Sequence, residues 1–187
     1  MLQKTIFSFD EYQLMIGAGV FDRHVGQIEL IRGELCSMNP AGPEHSDIID
    51  WLNRWSVTST VDNAFIIRVQ SQIDIRHLQS MPEPDIAWLR VGNYRRAHPR
   101  ADDVALLIEV AFSSVSFDRR EKAELYAEAG IADYWLVDVA KQSVEIRRQP
   151  KGIVFQDIQV AAGSDVIFPL CRPSAGLQIS QLFPATT

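Results

Sequence analysis

Apolar and polar positions along the chain keep two different rhythms, and the changes between them mark its elements. Ser8 with Glu11 three residues on reads as a capping box opening a short helix through Met15 and Ile16, which Gly17 and Gly19 stop. Alternation then predicts a strand over Gln27–Ile31, a turn at Arg32-Gly33, and a second strand over Glu34–Met38. The breaker cluster 39–43 follows. From about Glu44, Ile48, Ile49, Leu52 and Trp55 keep the 3.6-residue spacing of an amphipathic helix. Phe65–Val69 and Ile73–Ile75 read as strands, and Pro82 and Pro84 punctuate the approach to the apolar run 84–89.

Residues 91–103 are polar, basic and irregular. Val104–Phe112 is apolar at nearly every position, as expected of a central strand covered on both faces. Ser116-Phe117-Asp118 starts a helix running to Ala129, with Gly130 as its C-cap glycine. Tyr134–Val137 reads as a buried strand. Val144–Arg147 and Ile153–Val160 read as a hairpin about Pro150-Lys151-Gly152. The tail from Pro173 reads as a loosely packed extension with a short contact at Ile179–Leu182. Strands flanked by helices in this order predict an α/β fold around a mixed β-sheet. The expected organisation is one domain over residues 1–187, with a core at about 8–160 and a C-terminal extension at about 161–187.

Composition changes this picture little. Cys36 and Cys171 show no CxxC spacing, no apolar run approaches a membrane span, and the first residues lack the pattern of a signal peptide. A cytoplasmic protein with reduced thiols is the expectation. The net charge of −6 argues against general coating of nucleic acid. Yet Arg90, Arg95, Arg96, His98 and Arg100 gather in one loop, with Arg119, Arg120 and Lys122 beyond it, and Arg147, Arg148 and Lys151 later. Local basic rims on an acidic chain suit an enzyme gripping a short phosphodiester segment.

The chemistry lies in two carboxylates set in apolar strands. Asp85 follows Pro84 and opens one run; Glu109 sits inside the other. An ionised carboxylate among hydrophobes costs several kcal/mol unless it is neutralised, and two on neighbouring strands would raise one another's pKa unless a cation lies between them. A site for a hard divalent cation, Mg²⁺ or Mn²⁺, is the economical expectation, with the Val110 main-chain carbonyl as a further ligand. In the plainer reading Asp85 is a turn residue after proline and Glu109 a strand-end salt-bridge partner. No Gly-rich phosphate loop, nucleophile elbow or HExxH occurs, which removes NTPase, serine hydrolase and zincin readings.

Met81-Pro82-Glu83-Pro84-Asp85, then Leu107-Ile108-Glu109-Val110 with Ser113-Ser114, Asp118-Arg119-Arg120-Glu121-Lys122, Tyr126, Gly130 and Asp133–Asp138 form a series. It resembles the Uma-type family of restriction endonucleases within the PD-(D/E)XK nuclease superfamily, over roughly residues 8 to 160. The resemblance implies a restriction-endonuclease-like core and a metal-dependent endonuclease that hydrolyses phosphodiester bonds in DNA, with Asp85, Glu109 and Lys122 catalytic. It also implies an acidic residue in the early hairpin, Glu34, as a third metal or water ligand, and a homodimer for cutting both strands, with Trp51, Trp55 and Tyr134 as exposed candidates for the contact.

The chain departs from the superfamily pattern in one place. The usual lysine two residues after the glutamate is Ala111, and Lys122 on the following helix is the residue that could replace it. A solvated helix lysine is the competing reading, and a catalytically degraded module that binds nucleic acid or protein is the alternative function. His45, where the family often shows histidine, could touch phosphate or position Glu34, or simply begin a helix. Gln70 or Gln72 could hydrogen-bond in the site, Tyr126 could support Lys122 or pack, and Asp138 reads as a turn residue without a partner.

Overall fold

The computed structural model describes residues 5–24, 26–38, 42–112 and 117–183. Helix α1 (Phe9–Gly17) starts at the Ser8–Glu11 capping box. Strands β1 (Gln27–Ile31) and β2 (Glu34–Met38) form an antiparallel hairpin, and α2 (Pro43–Ser59) follows with proline in its first turn. Then come β3 (Phe65–Val69), β4 (Ile86–Arg90), β5 (Val104–Ala111), α3 (Ala123–Glu128), β6 (Asp133–Asp138), β7 (Ser143–Lys151) and β8 (Val154–Ala162). Two short strands, β9 (Val166–Ile167) and β10 (Leu177–Gln178), pair with each other. Residues 39–41, Ser113–Ser114 and the expected helix start at Ser116 lie outside the described residues.

The main sheet has the order β3-β4-β5-β6-β7-β8. Only β5 and β6 run parallel, joined by the segment that carries α3. The sheet is mixed with helices on both faces, as the sequence pattern predicts. Strand alternation divides its side chains. Ile86, Trp88, Leu106, Ile108, Trp135 and Val137 pack under α2 through Ile48, Ile49, Leu52 and Trp55. Ala87, Leu89, Leu107, Ala111, Tyr134 and Leu136 pack on the other face under Ala123, Leu125, Tyr126 and Ala127. Every residue of β5 is buried, as expected of a strand covered on both faces.

Four expectations need correction. Ile73–Ile75 is not a strand: the chain crosses there with single bridges, Asp74 to Arg100 and Ile75 to Ser80, and turns into a 3₁₀ segment at Arg76–Leu78. Both isoleucines are fully buried, so the alternation reported burial rather than a ladder. Trp51, Trp55 and Tyr134 are not exposed: Trp55 stacks between Trp88 and Trp135 with ring centroids 5.2 and 5.8 Å away, Tyr134 is buried, and Trp51 is part-buried against the same core. The tail is not loosely packed, since Leu177, Ile179 and Leu182 enter the α2-side core and Gly176 accepts a hydrogen bond from Trp55 Nε1 at 3.2 Å. Asp138 has partners, Arg119 at 3.1 Å and Lys141 at 3.7 Å, and is buried. Among the described residues, no helix is long and apolar enough to cross a membrane.

Candidate active site

Asp85 is placed by the prolines before it. With φ fixed at Pro82 and Pro84, and no N–H to donate at either, the chain joins β5 only from Ile86 onward. The Val110 N–H that pairing would have satisfied is instead taken by Asp85 Oδ2, at 2.8 Å. One step beyond the Ile86–Ile108 pair, the register sets Asp85 opposite Glu109. Both share strand parity with Ala87 and Leu107, on the α3 face of the sheet. From just past the end of the edge strand, Gln70 donates to Asp85 Oδ1 at 3.3 Å, and its N–H donates to the Asp85 carbonyl.

Glu109 is gripped from the helix side. Lys122 Nζ donates to Glu109 Oε1 at 3.0 Å, and Tyr126 OH donates to the same oxygen at 2.7 Å. The two donors lie one helical turn apart. Lys122 closes a π-helical turn over Asp118–Lys122, with Ala123 N–H bonded back to the Asp118 carbonyl, and such turns recur at functional sites. Ala111, two residues past Glu109 on the same face, offers only a methyl group to the space beneath this helix, and Ala123 and Tyr126 share its cluster. The lysine is therefore not a solvated one: it is 2 % exposed and also meets Glu29 at 3.1 Å and Asp118 at 3.8 Å.

The hairpin's contribution is Glu29, which the sequence reading passed over. Glu29 is 1 % exposed and accepts from Lys122 Nζ and from the Glu83 N–H. Glu34, the residue expected there, shares the hairpin face with Glu29 but stands two residue pairs nearer the turn, opposite Ile31, and is part-buried. Glu83 joins from the proline turn, hydrogen-bonded by Gln27 at 2.8 Å. The signal for Glu29 was the one that marked Glu109, a carboxylate flanked by apolar neighbours in a strand. His45, the third residue of α2, brings Nε2 to 3.5 Å from Asp85 Oδ2, and its buried Nδ1 has no hydrogen-bond partner. It therefore reaches Asp85 rather than acting through Glu34.

Charge in this pocket is unbalanced. Among the described residues, Asp85, Glu109, Glu29, Glu83 and Asp118 surround a single buried ammonium. Burial opposes the charge on Lys122, but Glu109, Glu29 and Asp118 outweigh it and hold the ammonium above the ordinary lysine range. Burial raises Glu109 well above the usual carboxylate range; Lys122 opposes this, while Asp85, Asp118 and Glu29 add to it. Burial, with Glu29 beside it, pushes Glu83 up to about 7. Contact with Asp85 lifts His45 above the usual imidazole range against its burial.

Such a pocket binds protons or takes up a cation to offset its excess negative charge. Its oxygen donors, Asp85, Glu109 and the Val110 carbonyl, suit a hard divalent ion. Among the described residues, no group of three His, Cys, Asp and Glu side chains is arranged to hold a metal by itself. Magnesium does not require one, because it uses one or two protein carboxylates and fills its remaining positions with water and phosphate.

Residues 9–180 match the model of a family described as "Putative restriction endonuclease". A crystal structure from Anabaena variabilis ATCC 29413, described as a "putative nuclease belonging to DUF820", superposes with a TM-score of 0.70 at 16% identity. The match covers 95% of this chain and 97% of that one, and at this identity it establishes a shared fold. No curated protein matches the chain.

Proposed function

Since the chain belongs to the Uma2 family, we propose that the pocket around Asp85 and Glu109 is the active site of a divalent-metal-dependent endonuclease acting on DNA. The family's description supports a nuclease in general terms. The observation that carries the metal-dependent reading is the pair itself: two carboxylates on adjacent antiparallel strands, facing one way, in a pocket with more negative than positive charge. Asp85, Glu109 and the Val110 carbonyl would hold Mg²⁺ or Mn²⁺. When bound, the ion supplies Lewis-acid chemistry, polarising the phosphate and acidifying water.

The chain's own residues do the rest. Gln70 and the Val110 N–H fix the Asp85 carboxylate, and Tyr126 and Lys122 fix that of Glu109. Preorganised charge of this kind lowers the barrier without reorganisation at the moment of reaction. Lys122 comes to Glu109 from the helix side, over the sheet face that carries Ala111, and its ammonium would offset phosphate charge or orient the attacking water. Glu29 keeps that ammonium protonated and aimed. The Ala111 departure therefore does not by itself favour a degraded, binding-only module.

The test is nicking of supercoiled plasmid by purified protein in Mn²⁺. Activity should fall about a hundredfold or more in Asp85→Ala and Glu109→Ala, given the several kcal/mol a catalytic metal supplies. Equal nicking by those variants would remove the reading. Each site cuts one strand, so double-strand cleavage calls for a homodimer. Light scattering on the DNA complex should then give twice the 21.1 kDa chain mass plus the mass of the DNA.

A further inference from the structure

Strand β3 is the edge of the main sheet, bonded only to β4. On its active-site face stand Ile66 and Arg68, and Gln70, just past the strand's end, is the residue that reaches Asp85. Arg68 lies two residues back, roughly 7 Å along the strand, opposite Ala87. Beyond it opens a cleft of about 360 Å³ lined by Ile66, Arg68, Gly92, Asn93, Tyr94 and Arg95. The lining holds two guanidinium groups, one aromatic ring, one amide and no carboxylate. Asp103, outside the lining, accepts from the Arg100 N–H and stands by the Tyr94 phenol, whose pKa burial and Asp103 raise.

The loop that closes the cleft is fixed in place. Tyr94 OH donates to the Arg90 carbonyl at 2.7 Å, Arg90 donates to the Asp102 carbonyl, and Asn93 Oδ1 accepts the Arg95 N–H. A Cβ at Gly92 would come within 2.9 Å of Tyr94 Cζ and OH, so only glycine lets the ring fold back over the chain. A half-buried aromatic ring between two arginines, on a chain of net charge −6, is a local reversal of the molecule's electrostatics.

We propose that this cleft holds one DNA strand beside the scissile phosphate, with Arg68 and Arg95 on its phosphates and Tyr94 against a base. Paired basic groups supply the salt-dependent attraction, and an aromatic face takes any base. The strand then runs along the sheet edge from the cleft past Arg68 to Gln70 and Asp85. The proposal rests on the active-site reading above, but its test can fail independently.

The test uses the full chain in EDTA and a fluorescein-labelled oligothymidylate of about 12 nucleotides, read by fluorescence anisotropy. Arg68→Glu with Arg95→Glu should weaken binding about tenfold or more. It should also shrink the slope of log K against log salt by about 1.4, two phosphates at about 0.7 each. Tyr94→Ala should weaken binding about 5- to 100-fold with the salt slope unchanged. Arg54→Glu, a single charge reversal on the exposed side of α2, should bind like the native chain.

Circular dichroism verifies folding, and Tyr94→Ala stands as the second arm should the double variant not fold. Native-like affinity and slope in the arginine variant, or native-like affinity in Tyr94→Ala, overturns the cleft while leaving the nuclease reading intact. Tighter binding of an oligouridylate overturns the assignment to DNA. Displacement of the oligonucleotide by an equal charge concentration of polyglutamate overturns a nucleic-acid site altogether.

Discussion

Lys122 is ion-paired to three buried carboxylates at once. It is the one cation at the centre of Glu29, Glu109 and Asp118. Removing it leaves buried carboxylates facing one another, and breaking a buried ion pair in this way costs about 3–5 kcal/mol. Lys122→Met should therefore lower stability by that amount in urea denaturation with EDTA present, and Mg²⁺ should recover part of the loss. No recovery would argue that the carboxylates do not share a cation.

Glu83 gives a complementary prediction in pH. Its folded pKa of about 7 stands above the ordinary 4.5, so the folded state holds the proton more tightly than the unfolded chain does. That stabilisation is complete below pH 4.5, fades as pH rises towards 7, and is gone above it. In EDTA, Glu83→Gln should match the native chain near pH 4.5 and exceed it by about 1–2 kcal/mol above pH 7, after discounting for solvent screening. Thermal melts across that range decide it.

Asp85, Glu109 and Lys122 were legible in the sequence because charge inside an apolar run demands a partner. Glu29 was passed over because alternation in a short hairpin does not say which face is inward. That choice is made by the Met81 N–H bond to the Leu30 carbonyl, a contact over fifty residues long that no local pattern carries.

Elements were more legible than their docking. β1, β2 and β3 begin and end where alternation and turn residues put them, and the final hairpin is present but turns at Gly152-Ile153, with Pro150 and Lys151 paired inside β7. The π-helical turn at Asp118–Lys122 was not legible, since the same residues serve an α-helix equally well. Ile73–Ile75 misled because burial and ladder formation share a pattern. Docking of the β1–β2 hairpin depends on its turn: Gly33 N–H bonds to the Gln79 carbonyl, and the Phe7 N–H bonds to the Gly33 carbonyl.

Gly33 and Gly130 both sit at φ +81, but their surroundings differ. A Cβ at Gly130 meets nothing within 4 Å, whereas one at Gly33 collides with Ile6 and the Phe7 carbonyl. Gly130→Ala should cost only the backbone strain of about 1 kcal/mol and leave nicking unchanged. Gly33→Ala should cost about 2–3 kcal/mol and also reduce nicking, because the strain falls on the hairpin that carries Glu29 to Lys122. Equal effects of the two substitutions on nicking would separate the hairpin from the site.

At the scale of the whole molecule, the two faces of the sheet have different duties, joined by one strand. The α3 face spends its buried space on charge, a net cost that apolar burial must offset. The α2 face holds the aromatic stack of Trp55, Trp88 and Trp135, closed by Leu177, Ile179 and Leu182 from the tail. Ile108 and Glu109, adjacent in β5, point to opposite faces, so loosening the apolar side must disturb the charged side through the shared backbone. Deleting residues 171–187 removes three large buried aliphatic side chains, the buried Ala175 and the acceptor for Trp55 Nε1, at about 2–4 kcal/mol for each large side chain lost. Against a total stability of about 5–15 kcal/mol, that loss unfolds the chain rather than trimming it. The truncated chain should therefore show red-shifted tryptophan emission and no cooperative melt. A native-like melt with unshifted emission would make the tail an appendage, and would place the source of the α2-face stability wholly within the sheet and its helix.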